Sequence, residues 1–193
     1  MAHFKMLPTA LAAALVLAAG GTAHADSGED EDGKEVAAVL GANTSITQAL
    51  AAAEQKTGGR AFKIDVDDDN GAYLYEVGVI SQDRISNVYV DMDSGQVIRT
   101  EGEGFLTRLL DGGDQPGLAE LMASPTSLAA AIATAEQQTG GNAVEASFDD
   151  ESGANRLEVA IAANDLVRQV MIDGTTGEIL KIADADSDGN DDE

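Results

Sequence analysis

The chain has 193 residues, with 35 acidic against 11 basic side chains, a formal net charge of −24, and neither cysteine nor tryptophan. That balance argues against nucleic acid and anionic lipid as partners, because both need clustered Lys and Arg to neutralise phosphate. Without cysteine there is no disulfide framework, and packing alone must supply stability.

Residues 1–25 read as a targeting segment. His3 and Lys5 give a positive start, Leu7–Ala19 is an apolar run, and Thr22-Ala23-His24-Ala25 ends in a small-x-small pattern. This is the layout of a secretory signal peptide cleaved after Ala25, and it predicts a periplasmic or secreted protein. The apolar run falls short of the roughly 20 residues a membrane span needs, so no membrane insertion is expected after cleavage. No cysteine follows the run, so no lipid anchor is expected either. Cleavage would also remove both histidines.

Asp26–Glu35 is mostly Asp, Glu, Gly and Ser and reads as a disordered acidic lead. Beyond it the chain repeats itself. A shift of 82 residues lays Val36–Ile98 on Leu118–Leu180 without a gap, with AEQKTGG at 53–59 falling on AEQQTGG at 135–141. In the first unit, Val36–Leu40 suggests one or two helical turns. Thr44 or Ser45 then caps a helix running to about Thr57, whose Ile46, Ala49, Leu50 and Ala53 form one apolar stripe. Gly58-Gly59 ends it. The second unit repeats these signals with Thr126 or Ser127, then Leu128, Ala131, Ile132 and Ala135, then Gly140-Gly141.

Two-residue alternation follows. Phe62, Ile64 and Val66 alternate with polar residues, Asn70-Gly71 is a hairpin signal, and Tyr75, Val77 and Val79 face the same way on the return strand. Ile85–Met92 and a short Gln96–Ile98 complete the set. Val144–Phe148, Leu157–Ile161, Val167–Ile172 and Glu178–Leu180 are the counterparts in the second unit. The fold class is therefore α+β: two repeated units, each one helix packed on a three- to four-stranded antiparallel β-meander. The predicted organisation is unit one at 36–98, a connector at 99–117, unit two at 118–180 and an acidic tail at 181–193. Phe105, Leu106, Leu109 and Leu110 in the connector have helical spacing, which suits either a filler between the units or a binding helix. A unit of this size has a marginal core by itself, so the units are expected to pack on each other or on a partner.

The ordered set resembles the PepSY domain. In unit one its carriers are Ala53-Glu54, Gly58-Gly59, Tyr75-Glu76-Val77, Val88-Tyr89-Val90-Asp91, and Gly95 with Val97. In unit two they are Ala135-Glu136, Gly140-Gly141, Leu157-Glu158-Val159, Val170-Met171-Ile172-Asp173, and Gly177 with Ile179. Unit two departs by carrying Leu157 and Met171 in place of Tyr75 and Tyr89. The resemblance implies a non-catalytic exported module, of the kind found in peptidase propeptides, where it is thought to restrain the peptidase.

The residues point the same way. A nucleophile needs an activating base, normally His or Lys, and zinc or copper sites lean on His and Cys. The recurring carboxylates Glu54 with Glu76 and Glu136 with Glu158 are the remaining catalytic option, but duplicated acids follow from duplicated sequence. No cofactor is expected. Asp184, Asp186 and Asp188, followed by Gly189, match the opening of a calcium loop whose closing Glu is missing, so the alternatives are a weak calcium site and a solvated acidic tail. Features present in one copy alone are the candidate partner-binding residues: Tyr73, Tyr75 and Tyr89, with Phe105 and Leu109 of the connector. The function expected is a binding module that engages an exported protein or peptide, modulating or inhibiting a peptidase or contacting an envelope protein. The alternative is a weak cation-binding or envelope-stress accessory protein.

Overall fold

The computed structural model describes residues 27–69, 71–81, 84–105, 121–149, 155–164 and 166–184. The targeting segment lies outside them. The elements are α1 (Ser27–Gly41), α2 (Ile46–Thr57), β1 (Arg60–Asp69), β2 (Ala72–Ser81), β3 (Arg84–Asp91), β4 (Val97–Phe105), α3 (Leu128–Thr139), β5 (Asn142–Asp149), β6 (Arg156–Ala163), β7 (Leu166–Asp173) and β8 (Ile179–Asp184). Residues 121–123 are also helical. Among the described residues no single helix is long and apolar enough to cross a membrane.

Both repeat helices start and stop as their residues dictate. Ser45 accepts from the Gln48 N–H while the Gln48 side chain accepts from the Ser45 N–H, a reciprocal capping box. Ser127 caps α3 by accepting from the Ala130 N–H. Each helix ends on a left-handed glycine, Gly58 at φ 67° and Gly140 at φ 72°, a backbone that a side chain would strain. The predicted stripes are the buried ones: Ile46, Ala49, Leu50 and Ala53 in α2, and Leu128, Ala131, Ile132 and Ala135 in α3.

The two meanders join into one eight-stranded sheet in the order β4-β3-β2-β1-β5-β6-β7-β8. The joint pairs β1 with β5 antiparallel, Lys63 opposite Ser147 and Ile64 opposite Ala146. Ile64 and Ala146 occupy the same place in the two repeats, so the units are related by a pseudo-twofold axis at this pair. On one face, Ile64, Tyr75, Val77, Val88 and Val90 with Ala146, Val159, Ile161, Val170 and Ile172 pack beneath α2 and α3 in one apolar cluster. A unit too small to be secure alone thus gains a shared core and loses one exposed strand edge.

Three boundaries differ from expectation. Asp26–Glu35 was expected to be a disordered lead, but from Ser27 onward it belongs to α1. Val36 and Val39 bury themselves at 7% and 9% exposure and anchor the helix. The segment from Arg99 to Phe105 belongs to β4 rather than to a connector, because it pairs with β3. Residues 181–184 belong to β8 through their ladder with β7. Leu106, Leu109 and Leu110 lie outside the described residues.

Candidate functional site

Among the described residues, two features are candidates for a partner: the outer edges of the sheet and the face turned away from α2 and α3. Among the described strands, β4 and β8 each have a strand neighbour on one side only. These edges carry exposed large apolar side chains: Ile98 at 57%, Leu180 at 50% and Ile182 at 42%. Ile98 and Leu180 are repeat equivalents, so both units present the same kind of edge.

The outward face of the central strands carries charge. Lys63, Asp65 and Asp67 alternate with core residues on β1, Glu76 lies opposite Asp65 on β2, and Glu158 lies opposite Ser147 on β6. Lys63 pairs with Asp65, whose Oδ1 is buried without a hydrogen-bond partner. Burial, only partly offset by the Lys63 charge, pushes the Asp65 carboxyl up to about 6. Burial, with the charge of Asp65 next, pushes the Glu145 carboxyl up to about 7. Among the described residues no group of three or more His, Cys, Asp or Glu could hold a metal ion.

Tyr75 and Tyr89 are buried in the fold rather than presented on a contact surface. Tyr75 is fully buried, and its hydroxyl donates to the Thr44 carbonyl at 2.9 Å. Its counterpart Leu157 has no hydroxyl. There the Thr126 carbonyl accepts instead from Arg60 Nη2 at 2.7 Å and from Ser124 Oγ at 3.2 Å, so a side chain of the first repeat serves the second. Arg60 Nη1 also donates to the Ser124 carbonyl at 2.6 Å. Tyr89 is 6% exposed, with the Arg99 guanidinium 3.6 Å from its ring centre. Burial first, and then its hydrogen bond to Glu76, pushes its hydroxyl up to about 12. Arg99 in turn pairs with Asp67, Asp69 and Glu101. In the second repeat both partners of this stack change together, Met171 lying opposite Lys181 where Tyr89 lies opposite Arg99. Tyr73 is half-buried against the core. Phe105 ends β4 opposite Arg84, and Leu109 lies outside the described residues.

The recurring acids also have structural posts. Glu54 accepts from the Ala61 N–H and Glu136 from the Ala143 N–H, tying each helix to the strand that follows. Glu76 is half-buried and bonded to Tyr89. Asp91 and Asp173 cap the β3–β4 and β7–β8 turns: the Ser94 hydroxyl and then its N–H donate to Asp91, and the Thr176 and Thr175 N–H groups donate to Asp173, which holds both carboxyls below their usual range. Asp184 ends β8 and accepts from Arg168 Nε at 3.1 Å; Asp186 and Asp188 lie outside the described residues. The sequence reading missed Arg60, Arg99, Lys63 and Glu145. Arg60 could have been suspected as a charge standing where the second repeat has Asn142.

A helix followed by a four-stranded meander, present twice and fused through β1 and β5, defines a tandem α+β module whose recurring polar residues serve the fold. The profile of the PepSY family, described as the peptidase propeptide and YPEB domain, matches residues 45–101 and 126–183. These matches take in more than half of the chain, and the protein belongs to the PepSY family. No curated protein matches it significantly. A crystal structure of a protein from Clostridium difficile 630, described there as a candidate lipoprotein, is similar at 16% identity with a TM-score of 0.44, covering 74% of this chain and 94% of that one.

Proposed function

We propose that this protein is an exported, non-catalytic binding module that takes an extended segment of a partner, a peptidase or another envelope protein, onto an edge of its sheet. The observation that carries this reading is the pair of strand edges, β4 and β8, presenting Ile98, Leu180 and Ile182 to solvent. An unpaired edge supplies a row of backbone donors and acceptors, and exposed apolar side chains beside it supply side-chain selectivity. Family membership supports a propeptide-like role, since the family is described by its peptidase propeptides.

The test compares the chain from Asp26 onward with its Ile98→Lys/Leu180→Lys variant. Both are added to envelope extract digesting a fluorescent protein substrate, and both are used as tagged bait. The wild-type chain slows the digestion and retains a peptidase, and the variant, with unchanged melting temperature, does neither. Equal behaviour of the two chains would remove the edges from the mechanism.

A further inference from the structure

We propose that the cavity between α1 and the second repeat is a binding site for an arginine side chain carried by a basic segment of a partner protein. Helix α1 packs against β5, and the cavity beside this contact has a volume of about 320 Å³, within the range of small-ligand sites. Val36 and Leu40 of α1, with Leu166 and Val167 of β7, give it apolar walls, and the amides of Asn142 and Asn164 are polar groups in its lining. Leu40 and Leu166 are 51% and 44% exposed, so these walls reach the surface.

The first repeat shows what fits beside such a wall. Asn142 stands where the first repeat has Arg60. Arg60 leaves the start of β1 and reaches the other repeat, where Nη1 and Nη2 donate to the Ser124 and Thr126 carbonyls at 2.6 and 2.7 Å. The repeat equivalents of these acceptors are the Ala42 and Thr44 carbonyls, in the loop that follows Leu40. The Thr44 carbonyl accepts from the Tyr75 hydroxyl, and a carbonyl has a second lone pair to offer. Asn142 is exposed and has too short a side chain to copy the reach of Arg60. A guanidinium brought by a partner can take that post instead. An arginine suits the walls as well, because its methylene stem packs along apolar surface while its planar fork bridges two acceptors. A lysine has the stem without the fork.

Charge selects the same occupant. Helix α1 carries five acids against one lysine, and Asp32 and Glu35 are the chain neighbours of Gly33 and Val36 in the cavity wall. The whole chain has a net charge of −24. An acidic segment would be repelled, whereas a basic one is drawn in, at a rate that falls as salt rises. The site uses none of the edge residues Ile98, Leu180 and Ile182, so it stands independently of the edge reading.

Methyl NMR of the chain from Asp26 onward, titrated with Nα-acetyl-arginine amide, tests this. The methyl resonances of Val36, Leu40, Leu166 and Val167 should shift together, with a Kd of about 1–10 mM for a single side chain. Nα-acetyl-lysine amide should bind about fivefold or more weakly, and Nα-acetyl-leucine amide should leave these methyls in place. Asn142→Arg supplies the guanidinium from within the chain. It should melt about 2–4 °C higher and no longer respond to the arginine probe. Gln55→Arg, which adds the same charge at an exposed position of α2, should respond as wild type. The proposal fails if the arginine probe moves scattered surface resonances rather than these methyls, if the lysine or leucine probe moves them equally, or if a folded Asn142→Arg chain still responds. The comparison of the three probes on the wild-type chain decides even where the variant does not fold.

Discussion

Replacing Arg60 by Met keeps the aliphatic stem and removes the guanidinium that ties the first repeat to the second. Arg60 donates to the Ser124 and Thr126 carbonyls at 2.6 and 2.7 Å. A hydrogen bond from a charged donor contributes about 1.5–3 kcal/mol, and two at face value would approach about twice that. Two features lower the figure. Thr126 keeps a longer, shared contact with Ser124 Oγ, whose one proton also reaches the Gly174 carbonyl at 2.8 Å, and the half-buried site lets water replace part of what is lost. The expected loss is about 2 kcal/mol, which in a chain of this length lowers the melting temperature by roughly 4–8 °C. Differential scanning calorimetry measures the shift and also its shape. If Arg60 couples the repeats, the variant's transition broadens or splits as the second repeat loses its partner's support. A single transition within a degree of wild type would refute the reasoning, and with it the view that Arg60 substitutes for the hydroxyl that Leu157 lacks.

Tyr75→Phe leaves the buried Thr44 carbonyl without its donor and should cost about 1–2 kcal/mol by urea titration; a neutral result would show that water reaches that carbonyl. Gly78→Ala should destabilise by about 1–3 kcal/mol, because the new Cβ would lie 2.7 Å from the Phe62 ring. Phe62→Val added to it should restore most of the loss, since the second repeat carries Val144 and Ala160 at these places; failure of the rescue would separate the two positions. Stability should rise as the pH falls from 7.5 to about 5, while Asp65 and Glu145 take up protons. It should then fall below about pH 4 as the low-pKa turn carboxyls Asp91 and Asp173 are protonated and their caps lost. A stability curve without that maximum would contradict both assignments. Deleting residues 185–193 should leave calorimetric calcium titration unchanged, and a heat lost with the tail would instead establish Asp184, Asp186 and Asp188 as a cation site.

The repeat made much of the fold legible. Helix caps at Ser45 and Ser127, glycine stops at Gly58 and Gly140, and the alternation through Tyr75, Val77 and Val79 are local signals that the fold obeys. What escaped was set by distant contacts. The acidic start of α1 has the composition of a disordered lead, and its seat depends on Val36 and Val39 meeting the rest of the core. Strand β4 continues through Glu-Gly-Glu-Gly, a stretch of poor strand formers held by the β3 ladder. The β1–β5 joint leaves no local trace, because neither strand's pattern says which edge it will meet. The tyrosines show a different difficulty. Alternation already placed Tyr75 on the apolar face, yet its absence from the second repeat suggested recognition. The structure gives the physical reason for that difference: Arg60 and Ser124 do in one repeat what a tyrosine hydroxyl does in the other.

The pairing of Ile64 with Ala146 has a consequence for how two such halves can diverge. Equivalent residues meeting across an axis are what an isologous homodimer would show. Two copies of the first repeat joined this way would set Lys63 against Asp65 at both ends of the joint, a pair of opposite-charge contacts. Two copies of the second would set Glu145 against Ser147 twice. Covalent linkage breaks that constraint: a substitution now enters the interface once instead of twice, so each side can change without its mirror image following. Arg60 reaching over to Thr126, with Asn142 in the corresponding place, is one product of that freedom. A second is the meeting of two acids, Asp65 and Glu145, that a symmetric pair of first repeats would not contain.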